Sequence, residues 1–263
     1  MGKKVSVLMG IYNCEKTLSD AIDSIINQTF TDWELIMCDD GSTDNTYKIA
    51  RKYKDHYSDK IVLLSNNNNC GLNITLNNCL RNAKGDYIAR MDGDDISSPT
   101  RLQEEVQFLD EHPEYAIVSM PMIYFDEDGV FKTGNQCGEP LLQNFAKGTQ
   151  FCHAPCMVRR EAFLAVNGYS INQNRLRVED WDLWIRMYEK GFRGFNLSKP
   201  LYWMRDDRNA FKRRQFKYRI NEARVSVSAV NKLHLSKKYY LWALKPIIVG
   251  LLPSKLYMYL HKK

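Results

Sequence analysis

Tyr87-Ile88-Ala89-Arg90-Met91-Asp92-Gly93-Asp94-Asp95 runs from an apolar segment into three carboxylates within four residues. Tyr87–Met91 reads as a buried strand, and the acidic cluster sits where that strand stops. Like charges so close repel one another, and a folded chain tolerates them best with a cation between them. An all-oxygen cluster this small suits Mg2+ or Mn2+, held through one or two carboxylates, waters and the phosphates of a diphosphate substrate. A solvated acidic turn would carry the same residues, so the rest of the chain decides between the two.

Upstream, strand and helix signals alternate. Val5–Ile11 is a short apolar run, followed by Leu18, Ala21, Ile22, Ile25 and Ile26 at the three- and four-residue spacing of one helix face. Trp33–Cys38 is a second strand, stopped by the turn formers Asp39-Asp40-Gly41-Ser42-Thr43-Asp44, which lead into a polar helix ending near Tyr57. Ile61–Leu64 is a third strand, and the loop Asn66–Asn69 opens a helix over Leu72, Leu76 and Leu80. Such alternation predicts βαβ units and an α/β fold with a Rossmann-like, mostly parallel sheet flanked by helices. Ligands of such sheets bind beyond the carboxyl ends of the strands. Tyr12–Asn13, Asp39–Asp44, Asn66–Asn73 and Asp92–Asp95 all fall at those ends and are expected to share one crevice.

Downstream the pattern is less regular. A helix over Leu102, Val106, Phe108 and Leu109 precedes strand-like runs at Ala116–Phe125, with a turn at Asp126–Gly129. Phe151–Val158 and Phe192–Leu197 also read as strands, and a helix spans about Asp180 to Lys190. The pattern divides the chain into a regular half, residues 1–100, a less regular half, 101–204, and a basic amphipathic helical tail, 205–263.

The composition is that of a globular protein, 44% hydrophobic and 26% charged over 263 residues. Seven scattered cysteines with no C-x-x-C pair indicate neither a zinc knuckle nor a disulfide framework, and fit a reducing cytoplasm. The first apolar run is too short for a signal peptide. Gly2 with Ser6 matches a myristoylation pattern, but the lead-in of the first strand explains that segment better. The net charge of +6 conceals an asymmetry: Arg205 to Lys263 holds fifteen Lys or Arg against three Asp or Glu, whereas the preceding residues are mildly acidic. A basic tail of that kind meets something anionic.

Together these segments resemble the family-2 glycosyltransferases of the GT-A fold, of the non-processive type that builds bacterial polysaccharides. Five motifs match in order and spacing: Ile11-Tyr12-Asn13; Asp39–Asp44; Asn69-Cys70-Gly71-Leu72; Asp92-Gly93-Asp94-Asp95 with Pro99, Arg101 and Leu102; and Glu179-Asp180-Trp181-Asp182-Leu183-Trp184. The resemblance covers roughly Val5 to Arg205 and implies a GT-A catalytic domain over 1–204, with 1–100 its nucleotide-binding half and 101–204 its acceptor half. It implies an inverting enzyme that moves one sugar from a nucleotide diphosphate sugar, UDP-linked by preference, to a saccharide or lipid-linked saccharide in bacterial surface polysaccharide synthesis.

The same resemblance assigns roles. Asp39 takes the place of the uracil-binding aspartate, and Tyr12, Asn13, Asn69, Gly71, Asp92 and Arg101 complete the nucleotide site. Asp94, with Asp92 beside it near the ribose, takes the place of the metal ligand, for Mn2+ or Mg2+. Asp95 supports that corner or starts the next turn. Asp180 takes the place of the general base, although Glu179 and Asp180 would also favour a helix N-terminus on electrostatic grounds alone. Glu179, Trp181, His153 and Asp207 are acceptor-side candidates. Two departures from the family pattern stand out. Relatives carry an arginine-x-histidine segment where this chain has Arg205-Asp206-Asp207, leaving Asp207 as a substitute metal contact or the contact absent. His153 falls near the family's H-P-T-x-M and reads equally as a structural histidine or as an acceptor or phosphate contact.

The Q-x-x-R-W motif and paired membrane helices of processive synthases are missing. Tyr239–Leu260 is apolar, yet Lys245, Lys255, Pro246 and Pro253 interrupt it, so it does not read as a span. The expected partner of 205–263 is an anionic membrane surface, which would make the protein cytoplasmic and peripheral on the inner face of the cell membrane. Packing against the body or a second copy is the competing reading. Nucleic acid is not expected, since no recognition motif accompanies the charge. A nucleotidyltransferase would need a glycine-rich or basic loop after the first strand, which Gly10–Glu15 does not supply. A non-catalytic nucleotide-sugar-binding or regulatory protein on the same scaffold is the remaining alternative.

Overall fold

The computed structural model describes residues 4–206 and 215–252. Four strands alternate with three helices: β1 (Val5–Ile11), α1 (Leu18–Ile26), β2 (Trp33–Asp39), α2 (Thr46–His56), β3 (Ile61–Ser65), α3 (Leu72–Asn82) and β4 (Tyr87–Arg90). Then come β5 (Ile96–Ser97), α4 (Arg101–Glu111), β6 (Ile117–Ser119), β7 (Met122–Asp126), β8 (Gly129–Thr133), β9 (Met157–Arg159) and α5 (Arg160–Ala165). The remaining elements are α6 (Glu179–Glu189), β10 (Gly194–Asn196), β11 (Tyr202–Arg205), α7 (Phe216–Lys232) and α8 (Leu244–Leu251).

The main sheet has the order β10-β6-β9-β4-β1-β2-β3, with β9 antiparallel to both its neighbours and the other pairs parallel. Chain direction across the sheet reverses between β1 and β4: β2 and β3 follow β1 on one side, and β4 lies on the other. That junction is a topological switch point, where the strand ends leave a crevice. Register brings the ends level. Ile11 pairs Asp39, Asp39 pairs Ser65, and Leu8 pairs Arg90, so Met91 and Asp92 emerge beside the last turns of β1.

Strand periodicity divides the core between the two faces of the sheet. Val5, Val7, Met9 and Ile11 of β1 pack with Leu18, Ile22 and Ile25 of α1. Leu8 and Ile36 face the other way, into a cluster with Leu76, Phe163, Trp184 and Met187. A second sheet, β5-β11-β7-β8, covers the edge of the crevice.

The second half departs from expectation at one place and meets it at two. The strand-like runs at Ala116–Phe125 are two strands, β6 in the main sheet and β7 in the small one, separated at Met120-Pro121. Of Phe151–Val158 only Met157 and Val158 lie in a strand, because Phe151, Ala154 and Cys156 are buried without ladder pairing and Pro155 has no amide to donate. The expected turn at Asp126–Gly129 is present as the β7–β8 hairpin.

The basic segment joins the body through α7. Val225, Ala229 and the following Leu233 are buried in the second core cluster. Ser226 Oγ donates to the carbonyl of Ala146 at 2.6 Å, and Asn221 Nδ2 to those of Gln173 and Leu176 at 3.3 and 3.2 Å. Among the described residues no helix is long and apolar enough to cross a membrane.

Candidate active site

The expected nucleotide corner lies where β1 and β2 end. Asp39 is 4% exposed; its Oδ2 accepts from the Ser42 amide at 3.1 Å, while its Oδ1 is buried with no partner. An unsatisfied buried carboxylate oxygen costs about 1–3 kcal/mol or more, so it marks a place where a donor is wanted. Asn13, at φ +47°, braces the same turn: its Oδ1 accepts from the Thr43 amide at 2.9 Å and its own amide donates to Ser42 Oγ at 3.1 Å. The Tyr12 ring is half exposed beside it.

Asp40 fastens this turn to the asparagine loop, accepting from Asn66 Nδ2 (2.7 Å), the Cys70 amide (2.8 Å) and the Gly71 amide (2.9 Å). Gly41, at φ +73°, allows the close approach: a Cβ there would lie 2.8 Å from the Asn68 carbonyl carbon. Asn69 is left exposed on the rim. Asp44 accepts from the Glu15 and Thr46 amides and so starts α2, as its position in the turn implied.

The acidic corner is pressed against the end of β1. Thr17 Oγ1 donates to the Gly93 carbonyl at 3.0 Å, and a Cβ on Gly93 would lie 3.0 Å from Cys14 Sγ. The three carboxylates are then treated differently. Asp92 is held through both oxygens by the Arg90 guanidinium, at 2.6 and 2.8 Å, which leaves it as an ion-pair partner rather than an open metal ligand. Asp95 is 2% exposed and accepts from Tyr202 Oη at 2.9 Å and the Arg205 amide at 2.8 Å; burial and its two acidic neighbours push its carboxyl up to about 8. Asp94 alone presents an exposed carboxylate, raised above the usual range by partial desolvation and by Asp92. Among the described residues no group of three Asp, Glu, His or Cys side chains is placed to hold a metal unaided. The donor set therefore fits a hard divalent ion in one mode, in which Asp94 supplies a protein ligand and a diphosphate supplies others.

Across the crevice, α6 opens with Glu179 and Asp180. Burial, then the charge of Glu179, raises the Asp180 carboxyl to about 6. Glu179 Oε2 is buried without a partner, and Glu179 lines a cavity of about 270 Å³ together with Gly71 and Tyr218. Two of the five motifs thus border one cavity. Between the acidic corner and α6 lies a polar cluster: His153 Nε2 is 2.9 Å from Tyr169 Oη, and Tyr169 feels the charges of Arg90, Asp92 and Asp180. Burial and the Arg90 charge hold His153 well below the usual histidine range, so it is neutral at pH 7.

Two expected site residues face inward instead. Arg101 is fully buried, donating to the Arg90 carbonyl at 2.9 Å and pairing with Glu105 at 3.2 Å; it secures the end of β4 and does not reach a donor. Trp181 is 6% exposed and donates to the Phe145 carbonyl at 2.7 Å, as a core residue. Asp207 lies outside the described residues. The sequence reading missed Arg90, Tyr169 and Tyr202. Only Arg90 left a sign, as a charge within an apolar strand.

The family model for glycosyl transferase family 2 matches residues 6–166, more than half of the chain. The protein belongs to glycosyl transferase family 2. It is 47% identical over 262 residues to a putative glycosyltransferase, EpsE, of Bacillus subtilis (strain 168), covering 100% of this chain and 94% of that one. It is 29% identical over 231 residues, 88% of each chain, to WfaP of Escherichia coli, a UDP-Glc:alpha-D-GlcNAc-diphosphoundecaprenol beta-1,3-glucosyltransferase. Among solved structures, TarS 1–349 of S. aureus in complex with UDP superposes with a TM-score of 0.72 at 19% identity, over 99% of this chain and 75% of that one. This family-2 chain is therefore a glycosyltransferase with the GT-A fold, and the crevice at the β1/β4 switch point is its candidate active site.

Proposed function

We propose that the enzyme is an inverting transferase that moves one sugar from a UDP-sugar to a hydroxyl of a saccharide or lipid-linked saccharide during bacterial surface polysaccharide synthesis. The unpartnered Asp39 Oδ1 carries the donor assignment. The N3–H of uracil supplies the hydrogen bond it lacks, whereas cytosine offers a lone pair there and would meet the carboxylate with repulsion. The exposed Tyr12 ring is placed to cover the base, and Asn13 holds the turn in position. WfaP, which uses UDP-Glc and a lipid diphosphate acceptor, supports both halves of the reading.

Asp94 would hold Mn2+ or Mg2+ with the donor diphosphate; bound there, the ion would offset the negative charge that grows on the leaving nucleotide. Asp180 takes the proton of the acceptor hydroxyl as that oxygen bonds to the anomeric carbon and the bond to the diphosphate breaks. One base and one displacement invert the anomeric centre. A carboxyl titrating near 6 is mostly ionised at pH 7 yet basic enough to accept a proton, as a general base requires.

Calorimetric titration tests the donor site. UDP with Mn2+ should bind the native enzyme, CDP should bind at least about tenfold more weakly, and Asp39→Asn should narrow that gap. Asp94→Asn should remove the part of UDP affinity that depends on metal. Equal affinities for UDP and CDP in the native enzyme would overturn the assignment.

A further inference from the structure

Beyond the donor site, the C-terminal part of the described chain carries an apolar stripe that no other described residue covers. Leu241, Leu244, Ile248 and Leu251 are 69%, 54%, 58% and 71% exposed, and their spacing of three, four and three residues places them along one helical face. The opposite face is anchored. A Cβ on Gly250 would lie 2.8 Å from Phe216 Cδ2 and 3.0 Å from Arg219 Cγ, so α8 lies in direct contact with α7. The stripe is therefore held outward by the body and is not a frayed end.

Its border is amphipathic. Trp242 is 37% exposed, with the ammonium groups of Lys147 and Lys245 at 5.3 and 5.8 Å from its ring centre. Tyr240, partly exposed, hydrogen-bonds the Asn231 side chain. From residue 223 to residue 263 the chain holds eight Lys or Arg and no Asp or Glu.

We propose that this face docks the enzyme on the surface of an anionic phospholipid bilayer, with Leu241, Leu244, Ile248 and Leu251 inserted at the acyl boundary and the lysines among the headgroups. Bare leucines flanked by lysine and tryptophan are the composition of a helix lying in a membrane interface. The cores of protein–protein interfaces are instead depleted of lysine. A symmetric contact with a second copy would bring the same basic surface against itself, opposed by repulsion. Because α7 carries α8 and also supplies Tyr218 to the cavity that Glu179 lines, docking fixes the distance between bilayer and cavity. A lipid-linked acceptor would then be met at a set height.

Co-sedimentation of the full chain with phosphatidylglycerol-containing vesicles, and with phosphatidylcholine vesicles, tests this. The native enzyme should bind the anionic vesicles, more weakly as salt rises, and bind the zwitterionic ones poorly. Leu244→Glu with Ile248→Glu should lower the partition coefficient at least about tenfold. Lys245→Glu, which leaves the stripe intact, should weaken binding to the anionic vesicles alone. UDP titration of the same preparations should be unchanged, so failure of docking and failure of the donor assignment are read separately. Equal vesicle binding by the native and double-glutamate chains would overturn the proposal. So would absence of native binding, or a fall in solution mass caused by the double substitution with no change in vesicle binding.

Discussion

Asp180 and Arg90 show how one buried charge sets another at the scale of single residues. Burial and Glu179 raise the Asp180 carboxyl, and the Arg90 guanidinium acts against that rise. A raised acid is protonated below its folded-state pKa, so kcat should climb with pH through about 6 and level off above it, measured with saturating donor and acceptor. Asp180→Asn should lower kcat at least about a hundredfold, with the UDP dissociation constant within about twofold of native. Near-normal turnover would remove Asp180 as the base. Arg90→Met should strand the partly buried Asp92 carboxylate, costing about 3 kcal/mol in denaturant unfolding. The same change should move the acid limb of the kcat profile upward, a shift that loss of packing alone would not produce. Asp39, Asp94 and Asp180 could be singled out in the sequence because each falls in a family motif at a strand end or a helix start, and those are the places they occupy in the fold. Arg101 looked equally eligible by motif; its i,i+4 spacing to Glu105 suggests the pair, but not that both side chains are fully buried.

At the scale of elements, the strands that could be read in advance are those with continuous apolar runs. In β1, β2 and β4 nearly every position is buried, because the sheet is covered on both faces. In β8 four of five residues are exposed, and β5 is two residues long, so neither leaves a periodic signal. Those short strands, with β7 and β11, build the small sheet that delivers Tyr202 to Asp95. Loops are equally decisive at this scale. Gly41→Ala would combine a left-handed φ with a 2.8 Å approach to the Asn68 backbone. It should cost about 1–3 kcal/mol and weaken UDP binding by prying the Asp39 turn from the asparagine loop. Gly129→Ala supplies the control, since it also has a positive φ but opens onto empty space. It should cost about 1 kcal/mol and leave UDP binding unchanged. A similar loss of UDP affinity in both variants would separate the Gly41 contact from the donor site.

At the scale of the molecule, charge and packing place the boundary near residue 205 differently. Composition changes sharply there, from mildly acidic to strongly basic, yet the hydrophobic core continues across it through Val225 and Ala229 of α7. Helix α7 also satisfies the carbonyls of Ala146, Gln173 and Leu176, in the segments that flank the start of α6. Burial of those side chains and three hydrogen bonds together contribute about 5 kcal/mol, comparable with the whole stability of a marginal domain. A chain ending at Asp206 should therefore unfold or aggregate, whereas one ending at Ser236 should keep its cooperative thermal transition and bind UDP. Within the full chain, Val225→Asp should reproduce the first outcome by placing an unpaired carboxylate at a fully buried position. If the chain ending at Asp206 instead melted cooperatively at the native midpoint, α7 would be a dispensable attachment. The rigid connection it provides between the exposed stripe of α8 and Asp180 on α6 would then have no energetic support.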